Sequence, residues 1–300
     1  MLEKIKEVPF IDESAAVKLL SKDGKLVLER NDRVIWASES TQVPADETIS
    51  CYVEAEKFFT LLPDIAQVAQ DTCLHIKLKN GAQYELPFLT AEWQTEEMPE
   101  EYENTITFKL DDLMLCTLKN LVKPELQCIW IDDKGAVSCD FISACVCDTV
   151  KATEGFLLPP DVQALVNGRV CKVKVTDSKI YFQASDFSII TSKPAIGEDA
   201  WWEQLREMLS LSATYVKAEP LTNALKRLVM FAGYVTFDGA KVFAGENFEP
   251  FAFKEIADRK YEIERLSRIL TTAEEITEES ENLVLKNKTS RFLISPSEDA

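Results

Sequence analysis

Lys22-Asp-Gly-Lys25, Asp133-Lys-Gly-Ala136 and Asp238-Gly-Ala-Lys241 are three tight turns, each set between two apolar, strand-like runs. Glycine supplies the positive φ that a short connection between antiparallel strands needs. The three glycines, Gly24, Gly135 and Gly239, are 111 and 104 residues apart. A second marker repeats with them. The runs Leu86-Pro-Phe88, Ile190-Thr-Ser-Lys193 and Leu293-Ile-Ser-Pro296 read as closing strands, and their matching residues Leu86, Thr191 and Ile294 are 105 and 103 apart. Two independent markers with one period define a threefold internal repeat. Three units of domain size fill the 300 residues, with expected boundaries 1–103, 104–205 and 206–300.

Each unit carries the same order of signals: an amphipathic helix, a strand, a Gly turn, a strand, a short second helix and a closing hairpin. In the second unit Leu110, Leu113, Met114, Leu118 and Leu121 follow helical spacing, which predicts a helix from Lys109 to Lys123 stopped by Pro124. In the third, Leu221, Leu225, Leu228 and Val229 predict one from Glu219 to Ala232. The first unit has only about ten residues for its counterpart. Second helices are expected over 53–65, 159–166 and 258–272. Leu74, Ile76 and Leu78 alternate with His75, Lys77 and Lys79 before the hairpin pair Asn80-Gly81, and Val170–Val175 alternates likewise. The fold class is therefore α+β, with helices grouped on one face of antiparallel sheet. Three such units in tandem suggest an arc, which symmetric pairing with a second copy can close.

Composition narrows the function. The chain has 33 basic and 51 acidic residues, a net charge of −18, so contact with nucleic acid requires a locally basic surface. A single histidine, His75, argues against His-based triads and multi-His metal sites, and its place on the polar face of a hairpin reads as a solvated side chain. Cys139, Cys145 and Cys147 lack paired Cys-x-x-Cys spacing and read as small hydrophobes in a strand, so no metal and no cofactor is expected. Eight cysteines are too few for a disulfide scaffold, and the charged start is unlike a signal peptide, which points to the cytoplasm. No apolar run reaches the ~18 residues of a membrane span. There is no Gly-rich phosphate loop, no nucleophile–His pair and no carboxylate cluster with metal spacing, so no catalytic residue is assigned and an enzyme is disfavoured.

The order of motifs resembles the DNA sliding clamps of the bacterial DNA polymerase III β-subunit type. The carrying segments are Ile49–Leu62, Tyr84-Glu-Leu-Pro-Phe88, Gly135–Cys147, Gly155-Phe-Leu-Leu-Pro-Pro160, Ser185–Lys193 with Ile196-Gly197, and Arg291-Phe-Leu-Ile-Ser-Pro-Ser297. Together they cover nearly the whole chain. The chain departs in its short first helix, in Phe141-Ile142-Ser143 where the family has a Gly-His-Arg-like run, and in an acidic tail after Pro296. The departures suggest a phage or mobile-element version.

The resemblance implies a homodimeric ring of two three-domain chains around duplex DNA, held by topology and weak non-specific phosphate contacts. It implies a bore carrying Lys119 and Lys123 from the middle unit and Lys217, Lys226, Arg227, Arg259, Lys260, Arg265 and Arg268 from the last. Without it, such charges read as solvated helix faces. It also implies that a DNA polymerase and a clamp loader dock short apolar peptides in a pocket walled by Ile131, Cys139, Ala144, Leu293 and Ser295, with Leu209 and Leu211 contributed by an interdomain linker. The plain reading of these residues is strand core. The resulting expectation is a non-enzymatic processivity factor. The alternative is a clamp-like adaptor or decoy that binds such peptides without encircling DNA.

Overall fold

The computed structural model describes residues 16–31, 35–45, 48–90, 96–117, 124–196, 201–210 and 214–297. The first stretch gives β1 (Ala16–Lys22), β2 (Lys25–Asn31), β3 (Ile35–Pro44) and β4 (Ser50–Glu54), then α1 (Ala55–Leu61), then β5 (Ile65–Gln70), β6 (Leu74–Leu78) and β7 (Gln83–Leu86). The second repeat follows with β8 (Asn104–Thr107), α2 (Asp111–Met114), β9 (Ile129–Asp132), β10 (Gly135–Cys139), β11 (Ser143–Cys147), β12 (Phe156–Leu158), α3 (Pro160–Val166), β13 (Val170–Val175), β14 (Lys179–Gln183) and β15 (Phe187–Ser192). After α4 (Trp201–Ser210) come β16 (Val216–Lys217), α5 (Glu219–Leu228), β17 (Tyr234–Asp238), β18 (Lys241–Ala244), β19 (Asn247–Pro250), β20 (Glu255–Glu262), α6 (Ile263–Ile269), β21 (Glu275–Glu279), β22 (Asn282–Lys286) and β23 (Ser290–Ile294). Four strands, a short helix and three strands thus recur three times, as the turn glycines and closing strands foretold. Gly24, Gly135 and Gly239 all adopt positive φ, and at Gly135 (φ 139°) a Cβ would lie 2.6 Å from the Cys147 carbonyl oxygen.

The chain forms two compact units, which follow the sheets and not the repeats. In the first, residues 1–108 and 161–193, one eight-stranded sheet runs β4-β1-β2-β3-β15-β14-β13-β8. Antiparallel pairing of β3 with β15, from Ile35↔Thr191 to Glu39↔Phe187, stitches the first repeat to the second. The second unit, residues 109–160 and 194–300, holds the sheet β12-β9-β10-β11-β23-β22-β21-β16, stitched by β11 and β23 from Ser143↔Ile294 to Cys147↔Ser290. Two smaller sheets remain: β5-β6-β7 in the first unit and β19-β18-β17-β20 in the second. A ladder of backbone hydrogen bonds crosses each repeat junction, so contact density divides the chain elsewhere.

Local sequence explains the elements. In β6, Leu74, Ile76 and Leu78 are buried while His75 and Lys77 face out, the alternation a one-sided sheet demands. In α5, Leu221, Ala224, Leu225 and Leu228 form the buried stripe. Pro220 stands in the first turn, Glu219 opens the helix, and Lys226 and Arg227 close it in accord with the helix dipole.

Two helices differ from expectation. The predicted helix 109–123 is a single turn, α2, within the described residues, and 118–123 lie outside them. After Met114 the chain tightens to i→i−3 bonds, Leu115 N to the Asp112 carbonyl and Cys116 N to that of Leu113, and the Leu115 carbonyl accepts from Arg268 Nη2 at 2.7 Å. The predicted helix 258–272 begins only at Ile263. Residues before it extend β20, because Tyr261 pairs opposite Val235, is fully buried and donates its hydroxyl to the Glu281 carbonyl. Helical spacing at Ile263, Leu266 and Ile269 is kept in α6.

Candidate functional site

Around the second domain boundary, where a linker is expected to contribute Leu209 and Leu211, residues 201–210 form a ten-residue helix, α4. Its signal was present in the sequence: Trp202, Leu205 and Leu209 recur at helical spacing, with polar residues between them. Only Trp202 and Leu209 are fully buried, on the face turned to the sheet β9-β10-β11-β23. There they join Cys128, Trp130, Val137, Ala144, Val146, Leu157, Val284 and Leu293 in one apolar cluster, flanked by Cys139, Trp201, Leu205 and Tyr215. Trp202 stacks on Trp130 with ring centroids 4.1 Å apart and planes 18° from parallel. A stacked pair of this kind adds about 0.5–1.5 kcal/mol to the area it buries.

A polar clasp completes the contact. Arg206 donates from Nη2 to Asp132 Oδ1 at 2.7 Å and to the Gly135 carbonyl at 3.0 Å, and from Nη1 to Asp132 Oδ2 at 2.8 Å. Asp132 also accepts from Trp130 Nε1 at 2.8 Å, Lys134 N at 2.9 Å and Gly135 N at 3.2 Å. Burial alone would raise the Asp132 pKa, but the Arg206 guanidinium and these other donors outweigh it, and the carboxyl titrates below its ordinary range. Lys134 reaches Glu203 at 2.9 Å, and Arg291 donates to the Leu209 carbonyl at 3.1 Å at the far end of the helix. Gly155 admits the Trp130 ring: a Cβ there would lie 2.6 Å from Trp130 Cζ2.

Of the residues expected to wall a pocket, Cys139, Ala144, Leu209 and Leu293 meet at this cluster. Ile131 is buried outside it: on β9 it alternates with Trp130 and so points to the opposite face. Ser295 lies past the end of β23, its N–H on the Ile142 carbonyl, and outside the cluster. Leu211 lies outside the described residues. Sequence reasoning missed Trp130, Trp202, Asp132 and Arg206, whose relation depends on a contact across more than seventy positions. Phe141, in the β10–β11 turn, combines φ 76° with 55% exposure, a conformation uncommon for an aromatic residue.

The basic residues separate into distinct groups. Lys217, Lys226 and Lys260 are exposed and make no ion pair among the described residues. Lys217 and Lys226 line a shallow cleft beside α5 together with Glu219, Glu274 and Glu275. Arg227 is exposed yet clasped by Glu249 through Nε at 2.6 Å and Nη2 at 2.8 Å, and Arg259 pairs with Glu281 at 2.5 Å. Arg259 and Lys260 stand on strand β20 and not on a helix. Arg265 is mostly buried against Asp140, Ser143 and Glu262, an arrangement that ties α6 to the β10–β11 turn. Burial opposes its charge, and the two carboxylates more than restore it, so its pKa is raised. Arg268 serves the Leu115 carbonyl. Lys119 and Lys123 lie outside the described residues.

Two of the three clustered thiols are packing groups. Cys145 and Cys147 are buried, no disulfide forms, and burial pushes the Cys145 thiol well above its usual range. His75 is partly exposed and bonds Asp71 at 2.8 Å, with Cys73 Sγ 3.6 Å away. The His75 bond, with help from turn N–H groups, holds the Asp71 carboxyl down at about 2. No helix among the described residues is long and apolar enough to cross a membrane.

Three repeats of four strands, short helix and three strands, with sheets continuous across the repeat junctions, define the fold of the sliding clamps. Among solved structures the chain is similar to DNA polymerase III subunit beta from Borrelia burgdorferi, with TM-score 0.75, 14% identity, and coverage of 99% of this chain and 96% of that one. The same subunit from Pseudomonas aeruginosa gives TM-score 0.74 at 14% identity, with 99% and 96% covered. The Helicobacter pylori beta clamp bound to a DNA ligase peptide gives 0.72 at 13%, with 98% and 96% covered. Likeness at this identity is likeness of fold. No family model matches the chain, and no curated protein does.

Proposed function

We propose that the protein is a non-catalytic DNA polymerase processivity factor that works as a homodimeric ring around duplex DNA. The clamp fold over nearly the full length supports this reading, and one observation carries it: the sheet joints come in a series with one member missing. The third strand of each four-strand group, which lies at one edge of that group, pairs with the last strand of a three-strand group, β3 with β15 and β11 with β23. The same rule assigns β19 to β7, yet both have an open outer edge among the described residues. Unpaired edges recruit strands. Exposed apolar residues accompany them: Phe248 in β19, Val229, Met230 and Phe231 just past α5, which packs on β19, and Tyr84 and Phe88 in and after β7. Pairing β19 of one copy with β7 of a second, twice over, satisfies both edges and closes a symmetric dimer.

In this reading the domains are 1–103, 104–205 and 206–300, and Lys217, Lys226 and Lys260, with Lys119 and Lys123, supply weak phosphate contacts. The acidic remainder keeps the ring from gripping nucleic acid elsewhere. Polymerase and loader peptides dock on the apolar face lined by Cys139, Ala144 and Leu293. The cytoplasm is its proposed location. The test is averaged negative-stain imaging with retention on DNA. Closed rings, loaded on nicked circular DNA and lost when the circle is linearised, are expected. Separate crescents at high concentration, or equal retention on both DNAs, overturn the reading.

A further inference from the structure

The peptide-docking reading leaves α4 unexplained, because α4 covers that same face with the chain's own side chains. What it presents forms one helical stripe: an aromatic at Trp202, a cation four residues on at Arg206 and a leucine three further at Leu209. The face offers a matching set, the Trp130 ring, the Asp132 carboxylate and an apolar floor of Val137, Ala144, Val146 and Leu293. We infer that this face is an exchangeable helix-docking groove. Its partner is a protein helix bearing an aromatic residue, an arginine four later and a leucine three beyond that. In the isolated chain α4 occupies the groove in cis and competes with that partner.

Three observations support exchange over permanent burial. A ten-residue helix is too short to hold itself together in water, so its structure depends on this contact. Its outer side is polar or exposed, Gln204, Glu207, Met208 and Ser210, and nothing among the described residues packs over it. The groove cannot stay bare, since Trp130 and Leu293 would then meet water, so undocking is favourable only when another apolar helix takes over. Partner affinity is reduced by the fraction of molecules in which α4 is undocked. The inference rests on the clamp reading only for the partner's biological role, because the recognition chemistry is read from α4 itself.

The probe is a labelled, end-capped peptide of residues 201–210, Trp-Trp-Glu-Gln-Leu-Arg-Glu-Met-Leu-Ser, titrated by fluorescence anisotropy against the full chain without DNA. A Trp202→Ala/Leu209→Ala chain, whose own α4 docks poorly, is expected to bind it at least ~30-fold more tightly than wild type. A probe carrying Arg206→Ala is expected to lose at least ~10-fold on that chain. The milder Arg206→Ala chain, with circular dichroism to confirm folding, replaces the double variant if the latter does not fold. Equal affinity for wild type and a folded variant, or no binding to a folded variant, overturns the inference. Variant-dependent exchange of α4 solely between copies, read as concentration-dependent association of the variant beyond the oligomer that wild type forms, with no probe uptake, overturns the assignment of a partner helix. Because the titration uses no DNA and its readout does not depend on ring closure, failure here leaves the ring assay standing, and failure of the ring assay leaves this result standing.

Discussion

Replacing Arg206 by alanine tests the link between the linker helix and the sheet beneath it. The guanidinium side chain is 12% exposed and that of Asp132 13%, so the pair lies within a region where solvent screens little. Removing one partner of a buried pair costs about 3–5 kcal/mol when the other is left alone. Asp132 is not left alone: Trp130 Nε1 and the N–H groups of Lys134 and Gly135 still donate to it. With the Asp132 charge still solvated by three donors, the expected loss is that of the charge-assisted contact removed, about 2 kcal/mol. With a urea slope of about 1–3 kcal/mol/M, the unfolding midpoint falls by about 1 M. Tryptophan fluorescence is the readout, since Trp130 and Trp202 stack at the site. The pH profile adds a second arm. Asp132 titrates lower folded than unfolded, so its contribution is complete above its unfolded pKa of about 3.9 and is lost as pH falls through the folded value. The gap between wild type and Arg206→Ala therefore narrows below about pH 4. A midpoint shift under about 0.2 M, or a gap unchanged from about pH 6 to pH 3, refutes the reasoning.

Gly155→Ala drives a Cβ to 2.6 Å from Trp130 Cζ2 and forces the Trp130–Trp202 stack apart, with an expected loss of about 1–3 kcal/mol in the same urea assay. Met230→Glu with Phe231→Glu puts charge on residues 74% and 58% exposed, so folding is retained while light scattering records dimer turning to monomer. A dimer unchanged by both substitutions counts against the proposed joint. Lys217→Glu with Lys226→Glu weakens non-specific duplex binding at low salt and lowers the salt slope by about 2, read by anisotropy on duplexes of unrelated sequence.

The strands and the repeat were legible in the sequence because their signals are local. Alternation at Leu74, Ile76 and Leu78 and the positive φ of Gly24, Gly135 and Gly239 depend on a few neighbouring residues and on the pleat. Helical spacing was equally plain at Leu221 to Leu228 and at Ile263 to Ile269. Where a helix ends is less local. Among the described residues α2 is one turn, followed by a Leu115 carbonyl bonded to Arg268 from a distant segment, and β20 persists to Glu262 because β17 pairs with it.

The candidate site shows the same division. Its apolar residues could be picked out one by one, but not that Ile131 and Ala144 look to opposite sides of the β9–β10–β11 sheet, nor that Arg265 is spent on Asp140. A charge on a helix looks the same in sequence whether it faces solvent or a carboxylate 125 positions away. By itself the sequence determined a threefold α+β repeat with antiparallel sheet, since hydrophobic period and turn chemistry are properties of short segments. Tertiary structure decided that residues 201–210 become a helix on the sheet β9-β10-β11-β23 and which cations remain exposed, because burial and ion pairing belong to pairs of residues that the chain brings together only on folding.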